Sequence, residues 1–210
     1  MLISFDLEGT LVSGELFPAL GERLGYGSGL GALTRAAMEG CLPFEEALEQ
    51  RTSLIRGASL NSVKGIADSL PLVRGAAETV RAVVEMGYTP AILTGGFDIL
   101  ALRAAGELGV HHVLCNRFRV SDGKVDGVAS PMVTAHTKAD YMMKLCDALG
   151  APLEGCVAVG DGANDIPMLM AAGLGIAFNA GERVREAAQI SVDGPDLRKI
   201  LPHIPRLTPS

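Results

Sequence analysis

Asp6, Glu8, Thr94, Lys138, Asp161 and Asp165 are the residues of this 210-residue chain whose types and surroundings could do chemistry. Asp6 and Glu8 stand two positions apart after Leu2, Ile3 and Phe5, an apolar run that reads as a buried strand. Asp161 and Asp165 lie in Gly160-Asp-Gly-Ala-Asn-Asp165, directly after the apolar run Cys156-Val-Ala-Val159. Carboxylates gathered at strand ends are costly unless a metal ion or a reaction uses them. For Asp6 and Glu8 alone, the plain alternative is a turn with solvated acids. An aspartate can attack phosphorus, and Mg2+ prefers a few carboxylates plus waters and phosphate oxygens, which suits Asp6 with Asp161. Thr94 followed by Gly95-Gly96 offers a hydroxyl and free N–H groups at an expected helix start, a cradle for phosphate. Lys138 supplies local positive charge. The chemistry these parts add up to is phosphoryl transfer.

The elements that must position them alternate. After the first strand, 13–70 reads as helices only: Leu16, Leu20 and Leu24; Leu30, Leu33 and Ala37; then Phe44, Ala47, Leu48, Leu54 and Ile55; then Val63, Ile66, Ala67 and Leu70. From Pro71 onward, strands and helices alternate, with strands expected at 90–94, 112–115, 156–159, 174–178 and 189–192. A hairpin is expected to turn at Asp122-Gly123. This pattern predicts an α/β fold, a doubly wound parallel sheet, with a helical bundle inserted after the first strand. The expected division is a core of 1–12 and 71–210 and a cap of 13–70. Ligands bind such sheets at the carboxyl ends of the strands, where Asp6, Thr94 and Asp161 fall. The end, Pro202 to Ser210, reads as a loose tail.

Composition narrows the partners. The chain is 48% hydrophobic, enough for one sizeable domain with an insertion, and its net charge is −6. With no block of Lys or Arg, neither nucleic acid nor an acidic membrane surface is an expected partner. No stretch reaches the length of a membrane span. Cys41, Cys115, Cys146 and Cys156 lack paired spacing, and Cys115 and Cys156 fall in apolar runs. Buried free thiols in a reducing cytoplasm are the expectation. His111, His112, His136 and His203 show no metal-ligand spacing. Arg51 falls on the apolar stripe of its helix, so it either meets a carboxylate or snorkels to solvent at the stripe's edge.

Taken in order, Asp6-Leu-Glu-Gly-Thr10, Thr94, Lys138 and Gly160 to Asp165 resemble the four motifs of haloacid dehalogenase (HAD) superfamily phosphatases. Within them, Thr94-Gly-Gly-Phe-Asp98 and Ala37-Met-Glu-Gly-Cys-Leu-Pro-Phe44 are similar to the phosphoserine phosphatase family. The resemblance covers nearly the whole chain and implies a Rossmannoid core with a C1-type helical cap. It implies Asp6 as nucleophile, with Mg2+ held by Asp6, Asp161 and the Glu8 carbonyl. Thr94, Gly95 and Lys138 would hold the phosphoryl group, Asn164 would contact the phosphate, and Asp165 would orient the metal shell or Lys138. In the cap, Glu15 would take the substrate ammonium and Arg51 its carboxylate, with Met38 and Phe44 closing the lid. The implied activity is hydrolysis of a small phosphorylated amino acid, phosphoserine, by a cytoplasmic monomer or homodimer of the serine-synthesis route.

One position departs from the family's pattern: Glu8 stands where a second Asp is usual. The longer side chain moves the acid–base group by roughly 1 Å. Some relatives carry Glu there, including one that passes the phosphoryl group to homoserine. Transfer to an acceptor alcohol, a broader phosphomonoesterase, or a catalytically weak phosphometabolite-binding protein are therefore the other readings.

Overall fold

The structure is a computed structural model that describes residues 1–26 and 29–207. In chain order it forms strand β1 (Leu2–Phe5) and helices α1 (Leu16–Leu24), α2 (Gly29–Met38), α3 (Phe44–Leu54) and α4 (Leu60–Asp68). Next come α5 (Ala76–Glu85), β2 (Thr89–Phe97), α6 (Asp98–Leu108), β3 (His112–Asn116), β4 (Phe118–Ser121) and β5 (Lys124–Val128). The remainder is α7 (Ala135–Ala148), β6 (Val157–Gly160), α8 (Ile166–Ala171), β7 (Leu174–Phe178), α9 (Glu182–Ala187) and β8 (Ile190–Val192). A 3-10 turn over Leu197–His203 follows.

Six strands pair in the order β3-β2-β1-β6-β7-β8, every pairing parallel. The order reverses between β1 and β6, so a crevice opens above their carboxyl ends, where Asp6 and Asp161 follow. Strand alternation sorts the core. Ile3, Phe5, Ile92, Val157, Val159, Ile176 and Phe178 point to the face covered by α5 and α6. Leu2, Ala91, Leu93, Ala158 and Ala177 point to the face covered by α7 and α8. The small residues of that second face let α7, the helix carrying Lys138, lie close to β1 and β2. A fully buried side chain such as Phe5 contributes roughly 1.5–3 kcal/mol.

The four helices between β1 and α5 stack over one end of this sheet, and α1 shares the core of the α5–α6 face through Leu16, Phe17 and Leu20. The β4–β5 hairpin turns at Asp122 and Gly123, whose φ of 50° and 71° match a two-residue turn of the primed type. Its second strand grips the α3–α4 junction: Val125 N–H donates to Ala58 O at 2.9 Å, and Val125 O accepts from Gly57 N–H at 2.8 Å. No helix among the described residues is long and apolar enough to cross a membrane.

Several expectations are corrected. Leu54 is 45% exposed, because the buried side of α3 runs through Ala47, Leu48, Arg51 and Thr52 instead. Thr94, Gly95 and Gly96 lie inside the extended strand β2, and α6 starts only at Asp98, so no helix N-terminus meets Gly95. Cys115 is half-buried on edge strand β3, whereas Cys146 and Cys156 are buried with sulfurs 2.8 Å apart. The expected tail is packed as far as Leu207: Ile204 is buried, Leu207 lies against the core and Pro205 O accepts from the Tyr88 hydroxyl at 3.0 Å. Its last three residues lie outside the described ones.

Candidate active site

Asp6 directly follows β1, and its N–H donates to Val159 O of β6 at 2.9 Å, which sets the carboxylate over the crevice. Lys138 reaches it from the first turn of α7. That turn is fixed by a capping box in which Thr134 accepts from Thr137 N–H at 3.2 Å and Thr137 Oγ1 accepts from Thr134 N–H at 2.5 Å. Lys138 Nζ donates to Asp6 Oδ1 at 2.6 Å and also to Asp165 Oδ1. The other oxygen of Asp165 accepts from the N–H groups of Asp161 and Gly162, at 3.1 and 3.0 Å. Asp165 is thus a brace between the lysine and the 161–162 loop. Lys138 and Asp165 are wholly buried and Asp6 nearly so.

Two buried carboxylates share one ammonium, and the part-buried Asp161 lies beside them. Burial, then the Asp165 charge, push Asp6 up to about 7 against the opposing pull of Lys138. Burial, then Asp6 and Asp165, push Asp161 well above the usual carboxylate range, although Thr10 Oγ1 donates to it at 3.0 Å. Burial alone would lower Lys138, but Asp165 and Asp6 together raise it, so it stays charged. Carboxylate oxygens of Asp6, Asp161 and Asp165 lie within 4.8 Å of one another. With one cation for three acids, this donor set fits a hard divalent ion. Gly9, at φ 82°, makes room for the Asp161 carboxylate, which a Cβ there would run into.

The crevice continues into a small pocket lined by Asp6, Glu8, Thr94, Gly95 and Asn164 from the sheet side and by Glu15, Met38, Phe44 and Arg51 from the helices. Its cavity volume is about 30 Å³. Gly95 carries the Phe44 ring and Gly96 the Glu8 carboxylate so closely that a Cβ on either would collide. Their peptide is committed at both ends: Gly96 N–H donates to Thr94 Oγ1 at 2.9 Å, and Gly95 O accepts from the Asn116 amide at 2.8 Å.

Glu8 Oε1 accepts the Leu16 N–H at 2.6 Å, placing its charge at the N-terminus of α1. Burial raises the Glu8 carboxyl above its ordinary value, and that hydrogen bond opposes the shift. Glu15, at the start of α1, is raised further, first by burial and then by Glu8. Arg51 is 5% exposed; its guanidinium lies 4.7 Å from the Phe17 ring centroid and 5.8 Å from that of Phe44. It lines the pocket rather than reaching bulk solvent, which rules out the snorkelling reading of its stripe position.

Every residue singled out from the sequence for the site therefore falls in the crevice or on the pocket wall. Thr34, Phe17 and Asn116 were missed. Thr34 had a signal, since it stands four after Leu30 and three before Ala37 on the apolar stripe of α2. Asn116 had none, because its partners Gly95 and Val133 are distant in sequence.

Comparison with known proteins agrees with this geometry. The profile of the haloacid dehalogenase-like hydrolases matches residues 1–173. The phosphoserine phosphatase of Methanocaldococcus jannaschii is 37% identical over 204 residues, covering 97% of each chain. Phosphoserine phosphatase SerB2 of Mycobacterium tuberculosis is 40% identical over 201 residues, 95% of this chain and 49% of that one, so the chain spans about half of that relative. Two solved structures superpose with a TM-score of 0.94 over 97% of this chain and 98% of theirs: a phospho-aspartyl intermediate analogue of phosphoserine phosphatase, 37% identical, and a substrate-bound phosphoserine phosphatase complex, 36% identical. On motif order, fold and site together, the chain belongs to the haloacid dehalogenase-like hydrolases.

Proposed function

We propose that the protein is a phosphoserine phosphatase, a phosphoric monoester hydrolase that releases serine and phosphate from O-phospho-L-serine. The observation that carries the reading is the Asp6–Lys138–Asp165 cluster beneath a pocket that offers one acid, Glu15, and one guanidinium, Arg51, to a zwitterion. Residues 13–70 act as the cap and 1–12 with 71–210 as the core.

Asp6 attacks the substrate phosphorus, a bond forms from its carboxylate oxygen, and the phosphorus–oxygen ester bond to serine breaks. Glu8 gives its proton to the departing serine oxygen, a role helped by the burial that keeps its carboxyl protonated at higher pH. The resulting aspartyl phosphate is then opened by a water whose proton Glu8 takes back, and phosphate leaves. Lys138 holds the Asp6 carboxylate in position and balances charge on the phosphoryl oxygens, with Thr94 Oγ, the Gly95 N–H and Asn164 as further donors. Asp165 keeps Lys138 aimed. Glu15 takes the ammonium and Arg51 the carboxylate, while Met38 and Phe44 exclude water when the cap is closed.

Hydrolases of this family use a metal ion; Asp6, Asp161 and the Glu8 carbonyl would hold Mg2+ here. When bound, it neutralises charge on the transferring group. Glu8, read here as standing where an Asp is usual, accepts the Leu16 N–H, and that bond would hold its longer side chain in place. The test is phosphate release from O-phospho-L-serine with Mg2+. Asp6→Asn is expected to lower kcat by at least about 10³-fold, and an active Asp6→Asn enzyme would sink the mechanism.

A further inference from the structure

The pocket wall holds one polar side chain that the mechanism leaves unused. Thr34, on α2, is 4% exposed and lines the pocket beside Arg51 of α3. Its Oγ1 accepts a hydrogen bond from Arg51 Nη1 at 3.1 Å, across 17 residues of chain. Arg51 Nε donates to Ala47 O of its own helix at 3.1 Å. Phe17, on α1, lies under the guanidinium plane at 4.7 Å and is itself fixed edge-on against Phe97 of β2, ring centroids 5.8 Å apart. Three separate elements thus restrain one guanidinium, two by hydrogen bonds and one by a ring face.

An arginine side chain has several soft torsions, and immobilising it costs conformational entropy at the moment of binding. A planar guanidinium also gains its directional advantage only when its fork is presented to a carboxylate at the correct tilt. Ala47 O and the Phe17 face each leave rotation about the long stem partly open. The bond to Thr34 closes it, because it ties a terminal nitrogen to a different helix. We infer that Thr34, supported by Phe17, is a positioning residue for carboxylate selection: its hydroxyl presets the Arg51 fork toward the substrate carboxylate. Thr34 touches Arg51 and acts through it, and no bond to the substrate is assigned to it. This inference rests on the reading of Arg51 as the carboxylate-binding residue.

The test compares two phosphomonoesters, O-phospho-L-serine and 4-nitrophenyl phosphate, the latter having neither carboxylate nor ammonium. The readout is the ratio of their kcat/KM values with Mg2+ present. Thr34→Val keeps the shape and removes the hydroxyl, and is expected to lower the ratio about tenfold, mainly through KM for phosphoserine. Thr34→Ser keeps the hydroxyl and is expected to restore the parent ratio to within about twofold. Phe17→Leu is expected to lower the ratio by a smaller factor, about threefold. An unchanged ratio in Thr34→Val, an equal loss on both esters, or a Thr34→Ser enzyme no better than Thr34→Val would each overturn the inference. Arg51→Ala separates the two levels. If it collapses the ratio while Thr34→Val does not, the positioning role falls and the carboxylate reading stands. If Arg51→Ala leaves the ratio intact, the carboxylate reading itself falls, and the inference with it.

Discussion

On the sheet side of the pocket Lys138 is gripped by two buried carboxylates, whereas on the helical side Arg51 rests on a phenylalanine face, a hydroxyl and a backbone carbonyl. Among the described residues Arg51 forms no ion pair, so its charge is left for a ligand. Both cations are buried but they are differently committed. On the sheet side Lys138 is already paired within the protein, with Asp6 and Asp165, which preorganises these groups. On the helical side, under the proposed function, the charge balance is completed only by the substrate, which is what selectivity requires. The attachment differs too. The sheet side is continuous with parallel strands, while the helices are pinned by the hairpin near Ala58 and touch the sheet side again at Gly40, whose carbonyl accepts from Arg183 at 3.2 Å.

Breaking the committed side has the largest expected effect. Lys138→Met leaves Asp6 and Asp165 buried without their cation, and is expected to lower kcat by about 10³-fold and stability by roughly 3–5 kcal/mol. Denaturant unfolding checks the second figure; an unchanged midpoint would mean that Lys138 is not committed to Asp6 and Asp165. The contact at Gly40 ranks next. With φ at 71° and the Arg183 guanidinium against it, Gly40→Ala is expected to cost about 1–2 kcal/mol. It is also expected to raise KM for phosphoserine more than it lowers kcat, since it disturbs closure and leaves the Asp6 cluster alone. A loss confined to kcat would erase the division between the two sides.

The smallest effect is expected from an ion pair away from the pocket. The Arg198 hydrogen bond to Asp196 lowers its carboxyl from 3.8 to about 2. A depressed folded value means the unfolded chain binds more protons in this range, so the stabilisation is present above about pH 4. It is lost as pH falls through about 2. The melting temperatures of the parent and Asp196→Asn should therefore differ slightly near neutrality and converge by about pH 2. Near-neutral melting temperatures that differ as much as those of the parent and Lys138→Met would refute the view that burial gives the sheet-side charges their weight.

Legibility in the sequence followed the range over which each feature is determined. Strand ends at Asp6 and Asp161 and the Asp122-Gly123 turn are written in a few neighbouring residues, and they stand where expected. The Gly95-Gly96 pair was legible as a site but not as a shape. Its glycines make room for Phe44 and Glu8, two side chains that no local pattern ties to them. Leu54 was placed inward because its spacing from Phe44 and Arg51 fits a helical face, yet the width of the buried face is set by which neighbours cover α3.

By itself, the sequence determined the alternating α/β class, the acids at strand ends, the helical insertion and the residue types available for phosphoryl transfer. These follow from periodicity and side-chain chemistry, which act within one or two turns of chain. Only the tertiary structure decided that one lysine serves both Asp6 and Asp165, that Glu8 is held by the first turn of α1, and that Thr34 and Phe17 restrain Arg51. Each of these last pairings joins residues on different elements. Their geometry depends on how whole helices pack over the sheet, and no spacing along the chain encodes it.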